Sequence, residues 1–230
     1  MTILRHQLIL LFTSSCITAS VFLNSAWADI KLPKPSFTGN MSVEAAMVAK
    51  KTARNFSSTP LTLAQVSQIL WSANGNLPYD AISGATTKVV PSAGALYPLE
   101  IFLLCGKDTV TGLPEGVHQY KPATNSLETI FSEDRRASLA QAALGQMWLA
   151  RAPALIVVAA EFSRTTARYR DLGIRFVCME AGNSNQNLCL QAAALELRAG
   201  TVGAFNDAAV AEAIKLPKSI SPLLIVALGR

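Results

Sequence analysis

Histidine is almost absent from this chain of 230 residues: there are two, His6 and His118. Cysteine is scarce as well, at four, while aromatic residues make up 7% and charged residues 15%. Each shortage removes a class of chemistry. No Cys/His pair has metal-ligand spacing, so a zinc site is not expected. A serine triad of the usual kind lacks its base. The net charge of +5 is mild and does not gather into a stripe, which argues against a nucleic-acid surface. Beyond one run near the N-terminus, no segment is long and apolar enough to span a bilayer. Internal repeats and low-complexity tracts are missing too. What remains is a half-hydrophobic chain of ordinary single-domain length, with ample residues for a core.

The N-terminal run reads as a signal peptide. Arg5 and His6 form a weak basic start, Leu8–Leu23 is apolar, and Ala26-Trp27-Ala28 is a small-x-small cleavage pattern. Residues 1–28 are therefore expected to be removed, leaving an exported protein, periplasmic where the cell has two membranes. A retained anchor is the competing reading, but the run is short and Ser/Thr-rich. Cys16 leaves with the peptide, and Thr13-Ser14-Ser15 before it matches a lipoprotein site poorly. Cys105, Cys178 and Cys189 remain; an oxidising compartment permits one bridge, and no spacing demands it. All three read as small buried hydrophobes.

In chain order, residues 29–42 read as an extended arm carrying Pro33 and Pro35. Ser42 caps a helix over Val43–Lys51. Thr62-Leu63-Ala64-Gln65 is a capping box opening a second helix that Asn74-Gly75 stops. Ile101–Cys105, Ala154–Ala160 and Leu223–Leu228 read as buried strands. Asp108–Pro114 is a loop, and Val117–Tyr120 with Leu127–Ile130 form a hairpin. Ser132 can cap a helix to about Met147. Asp171–Ala199 reads as one long helix ended by Gly200, with Leu172, Phe176, Met179, Asn183, Gln186, Leu190, Ala194 and Leu197 on its core face. Gly182 would let another element approach it closely. Thr201–Phe205 is a short apolar segment, after which Asn206 or Asp207 caps a last helix to about Lys215. The pattern predicts an α+β fold with a mixed or antiparallel sheet and one long central helix, over residues 43–230.

Three stretches carry the candidate chemistry. Val90–Glu100, VPSAGALYPLE, is a stiff bend: Pro91 and Pro98 fix φ, Gly94 allows close approach, and Ser92 offers a hydroxyl and an N–H. It is either a turn feeding a core strand or a loop that faces a cofactor. Lys50, Lys51, Thr52 and Arg54 place cations and a hydroxyl together, which suits a phosphate or simply a solvated helix end. A second basic grouping, Arg164–Arg175, reads as a solvated face. Gly203 permits close backbone approach to a ligand or makes a tight strand-to-helix turn.

With PSAGALYPLE at 91–100 stand AKKTARNF at 49–56, ILWSANG at 69–75, GVHQY at 116–120, IRFVCMEAGNSNQNLCLQA at 174–192 and GAFND at 203–207. That ordered set resembles the nitroreductase-like flavoproteins, in particular their SagB-type dehydrogenase branch. The resemblance implies non-covalent FMN at the interface of a two-fold homodimer, acting on a small-molecule substrate with NAD(P)H or another donor. It implies phosphate binding by Lys50, Lys51, Thr52 and Arg54, joined by the terminal Arg230. It implies backbone contacts to the flavin from Gly203 and Ala204, and a loop of Pro91, Ser92, Ala93 and Gly94 along the ring. Azoline dehydrogenases of that branch use a Lys-Tyr pair near the start of the long helix; the nearest pair here, Arg175-Phe176, has no phenol. The flavin carries the redox step, so no protein acid or base is strictly required. A non-catalytic flavin-binding scaffold and an azoline dehydrogenase are the other functional readings.

Overall fold

Three apolar segments become the centre of one sheet: β3 (Leu99–Cys105), β7 (Ala154–Ala160) and β9 (Ser221–Gly229). In the computed structural model, which describes residues 29–78 and 87–230, β7 is paired antiparallel on both sides. Ile156 lies opposite Leu103 of β3 and Val226 of β9. A strand so placed is covered on both faces, which is why ALIVVAA contains no polar alternation. The pleat still sorts its side chains. Ile156 and Val158 enter one core with Ile101, Leu103, Val226 and Leu228; Leu155 and Val157 enter the other with Phe102, Leu104, Ile225 and Ala227. The expected signal peptide, and the part of the loop between Gly75 and Val90 that holds Tyr79 and Gly84, lie outside the described residues.

The full order is β1 (Ile30–Lys31), β6 (Ser126–Phe131), β5 (Gly116–Lys121), β3, β7, β9 and β8 (Arg198–Val202). Every neighbouring pair is antiparallel. The expected hairpin is β5–β6. A separate parallel pair joins β2 (Leu61–Thr62) to β4 (Val110–Thr111), so the stretch read as the loop Asp108–Pro114 contains a short strand. The N-terminal arm is docked. Ile30 and Lys31 pair with β6, Leu32 is buried, and the Gln68 amide both accepts from Ser36 N–H at 2.8 Å and donates to Ser36 C=O at 3.0 Å.

The helices follow their caps. Ser42 accepts from Ala45 N–H and opens α1 (Val43–Ala49); Thr62 and Gln65 close a reciprocal capping box on α2 (Leu63–Asn74). Asn206 accepts from Ala209 N–H and opens α6 (Asp207–Ala213). The helix expected from Ser132 to Met147 is shorter, α3 (Arg136–Ala142). Asp134 accepts from Arg136 N–H at its start, and Leu144 and Gly145 at φ +57° and +73° break it. A helix not anticipated, α4 (Ser163–Tyr169), is separated by Arg170 at φ +51° from α5 (Asp171–Ala194). α5 ends at Ala194, short of Ala199, and Gly200 lies inside β8. Among the described residues no helix is long and apolar enough to cross a membrane.

The long helix buries a different face from the one its large residues suggest. Gly173, Val177, Glu180, Ala181, Ser184, Leu188 and Ala192 are buried, whereas Leu172 and Met179 are 53% and 60% exposed. The buried set is the expected stripe turned by about one residue, or roughly 100°. Small side chains explain it: Gly173 lies against the backbone of Thr165 and Thr166, and Ser184 donates to Ala73 C=O at 2.7 Å. Gly182, expected to admit a close neighbour, faces open space within this chain. Cys178 is exposed, contrary to its reading as a buried hydrophobe, while Cys105 and Cys189 are buried; all three are free thiols.

His118 is fully buried and neutral. Pro114 C=O can only accept, so Nε2 carries the proton and donates to it at 3.1 Å; Nδ1 accepts from the Thr129 hydroxyl at 3.0 Å. Burial holds its pKa below the ordinary value. A base whose folded pKa is depressed contributes stability above its unfolded pKa of about 6.5, and that stability is lost as pH falls towards the folded value. Urea midpoints of wild type should therefore fall relative to those of His118→Gln below about pH 6.5. A flat difference across that window would mean the imidazole titrates freely in the fold.

Candidate functional site

The cationic segment is not a helix end. α1 stops at Ala49, and Lys50 is already extended at φ −60°, ψ 119°. The segment then runs beside β8: Thr52 bridges Ala199, and Ala53 N–H donates to Ala199 C=O at 2.9 Å. Gly200 makes this possible, because a Cβ there would run into Ala53 C=O and the Trp148 ring. Extended backbone presents Lys51, Thr52 and Arg54 to a cavity of about 700 Å3, which Leu197 and Arg198 complete. Arg198 escaped the sequence reading because the long helix was carried through it. Lys50 does not line the cavity; its charge acts on Cys189 instead. Arg230 does not line the cavity either; its carbonyl accepts from Ser57 N–H, just past the segment, at 2.7 Å. Three cations and a hydroxyl around one cavity match a phosphate in charge and in hydrogen-bond donors.

β8 leads directly from this cavity to the glycine turn. Arg198 opens the strand and Gly203 follows its end, roughly 16 Å away along extended backbone. Gly203 and Ala204 are exposed, and neither N–H bonds to protein among the described residues. Gln146 fixes the turn by donating to Ala204 C=O at 3.2 Å. Only Leu224 Cδ2, at 3.8 Å, would meet a Cβ on Gly203, so the space above the turn is open. A cationic cavity and, among the described residues, a pair of unbonded N–H groups thus lie at the two ends of one strand.

The proline-flanked bend lies elsewhere. Pro91, Ser92 and Ala93 line a cavity of about 290 Å3 with Phe176, Met179, Glu180 and Asn183 of α5. Glu180 and Ala194 are roughly 20 Å apart along the helix, and the cationic cavity lies beyond Ala194. The cavities that hold Lys51, Thr52 and Arg54 and those that hold Pro91, Ser92 and Ala93 share no residue. Within the bend, Gly94, Ala95 and Tyr97 all have positive φ, at 62°, 54° and 47°. Ser92 Oγ accepts from Tyr97 N–H at 2.9 Å and also acts on the Glu180 carboxyl. That hydroxyl is consumed inside the fold, which leaves the Ser92 backbone for any ligand.

Sequence reasoning passed over the groups that hold the bend. Lys88 donates to Asn74 Oδ1 at 3.1 Å, and Asn74 in turn donates to Leu99 C=O at 3.0 Å. Arg164 reaches both Tyr97 C=O and the Glu100 carboxylate, the latter at 2.6 Å. The Tyr169 phenol sits where a Cβ on Gly94 would be, 2.7 Å from it. Nothing in the spacing of these residues links them. Gly94→Ala should cost about 1–2 kcal/mol, because alanine is disfavoured at this φ and Tyr169 must move. Urea unfolding measures it; a change within about 0.3 kcal/mol would show that the bend relaxes freely.

Comparison with known proteins places the fold in a family. The nitroreductase family model matches residues 47–230. A Methanocaldococcus jannaschii protein with a provisional nitroreductase name, MJ1384, is 40% identical over 88% of this chain and 96% of its own length. The Escherichia coli microcin B17-processing protein McbC is 27% identical over 64% of this chain and 55% of its own. A crystal structure of a provisionally assigned nitroreductase from Ralstonia eutropha superposes with a TM-score of 0.76 at 26% identity, covering 90% of this chain and 91% of that one. With its antiparallel sheet, long helix and cationic edge at β8, the chain belongs to the nitroreductase family of oxidoreductases.

Proposed function

We propose that this protein is an exported FMN-dependent oxidoreductase that works as a two-fold dimer and passes hydride to a small organic acceptor, such as a quinone or nitroaromatic. The observation that carries the reading is the cavity of Lys51, Thr52, Arg54 and Arg198 at one end of β8, with the free N–H groups of Gly203 and Ala204 at the other. A flavin mononucleotide has a dianionic phosphate at one end and an acceptor-rich ring at the other, and that polarity fits the strand. Bound there, the flavin would supply the hydride chemistry. The protein's part is to anchor the phosphate and present N–H groups to the ring.

A second copy completes the site in this reading. The bend at Pro91–Gly94 shares no cavity with the cationic segment in one chain, so only a symmetry mate can bring the two together. The exposed apolar residues Leu172 and Met179 on one side of α5, with Val43 and Met47 on one side of α1, supply apolar surface for that mate.

The test is the absorption spectrum of the purified protein with and without added FMN. A flavin spectrum that bleaches with a reductant and recovers with a quinone supports the enzyme. A colourless protein that does not take up FMN supports a non-catalytic scaffold. A second reading, oxidation of an azoline in a modified peptide, draws on the likeness to McbC and on the Tyr169 phenol beside Gly94. Peptide products lighter by two hydrogens would establish it.

A further inference from the structure

Behind the bend lies a carboxyl group with nothing to balance it fully. Glu180 is 3% exposed and lines the 290 Å3 cavity with Pro91, Ser92 and Phe176. The Ser92 hydroxyl acts on its carboxyl, while Oε1 is sealed from water and has no hydrogen-bond partner. Lys88 is the cation that acts on it, yet it forms no ion pair with it, its ammonium being bonded to Asn74 and lying 5.2 Å over the Tyr97 ring. Glu100 and Arg164 act on Lys88 in turn, with opposite signs. A buried carboxylate with an unpartnered oxygen and no contact ion pair is expensive, whereas a carboxylic acid is tolerated there. Burial accordingly pushes the Glu180 pKa up.

We propose that Glu180 is the proton store of this site: its buried, unpaired carboxyl holds a proton and gives it, at the cavity it lines, to an acceptor that receives a hydride. The balance is simple. An organic acceptor gains two electrons and one hydrogen as hydride and needs one proton to become neutral product. The O–H bond of Glu180 breaks, an O–H bond forms on the acceptor, and the carboxylate left behind is offset by Lys88 until solvent protonates it again. The identity of the hydride donor, a flavin reduced by a nicotinamide nucleotide, rests on the reading above; the protonation state of Glu180 does not.

The experiment compares wild type with Glu180→Gln, which keeps size and hydrogen bonding and cannot titrate. Urea unfolding of both is followed from about pH 5 to pH 8. A raised folded pKa contributes stability below the unfolded pKa and loses it as pH rises through the folded one, so wild type should lose ground to the variant as pH rises from about 5 until the folded pKa is passed. The His118 contribution is common to both and cancels. A flat difference overturns the proposal, since the residue would then be ionised throughout. Should the variant not fold, the infrared band of a protonated carboxyl in wild type at the lowest of these pH values decides the same point: its presence supports the proposal and its absence overturns it. Turnover with a nicotinamide nucleotide and a quinone supplies the functional half. Glu180→Gln should slow it about 100-fold and lose the wild-type solvent isotope effect. Unchanged turnover and isotope effect in the variant overturn the delivery role even where the stability difference slopes. If wild type binds no FMN while that slope persists, the flavin reading fails and the stored proton stands.

Discussion

Gly200→Val should destabilise the protein by roughly 3 kcal/mol or more and weaken the FMN binding proposed for the neighbouring cavity, although residue 200 does not line that cavity. Gly200 is buried in β8 where the segment carrying the cations crosses the strand. A Cβ would run into Ala53 C=O, which is backbone and cannot swing aside, and would meet the Trp148 ring at 3.0 Å and 3.1 Å. Trp148 is itself stacked on Phe56, at a centroid distance of 6.3 Å, so the ring has little room to retreat. The relief available is to push the segment of residues 51–54 away from β8. That breaks the bond from Ala53 N–H to Ala199 C=O and spreads the cavity that Lys51, Thr52, Arg54 and Arg198 share. Urea unfolding gives the first effect and an FMN titration the second. Normal stability and normal affinity together would mean the segment is not held as described.

Arg54→Glu should raise the dissociation constant for FMN about 100-fold, or by about 2–3 kcal/mol. Arginine offers a fixed fork of donors to phosphate oxygens, and the substitution both removes those bonds and puts a like charge beside the phosphate. Lys51 and Arg198 line the same cavity and stay in place, which is why the loss is large without being total. Arg54 is exposed, so its stability cost should be small and the variant should fold normally. The loss should shrink at high salt, where exposed charges are screened. Lys107→Glu, an equal charge change on an exposed loop, is the control and should leave affinity alone. Unchanged affinity in Arg54→Glu would remove this residue from the site.

The two variants probe different levels of the same construction. Arg54 acts on the ligand through charge, whereas Gly200 acts through the placement of a backbone. Their effects on affinity should therefore differ in salt dependence: steep for the arginine, shallow for the glycine.

Much of the scaffold is written in local chemistry. The strands β3, β7 and β9 are uninterrupted apolar runs, and such runs of this length have few destinations besides the centre of a sheet. The caps at Ser42, Thr62 and Asn206 are satisfied by N–H groups three residues away, so they need nothing distant. The residues of the cationic segment and of the glycine turn were legible for a similar reason, because residue type alone limits what they bind.

Tertiary contact decided the rest. The face that α5 buries was set by Gly173 fitting against α4 and by alanine and serine fitting under α2 and the sheet, while Leu172 and Met179 stayed outside; hydrophobicity along the chain reports strength and says little about room. Lys50–Arg54 became extended because β8 offered a backbone to pair with, and Arg198 joined the cavity because β8 begins where a longer helix was expected. Glu180, Ser92 and Lys88 lie up to 92 positions apart in sequence and meet only when α5 packs beneath the bend. Periodicity and capping act within a few residues, so they can name elements; which charges end up sharing one buried space depends on how those elements stack.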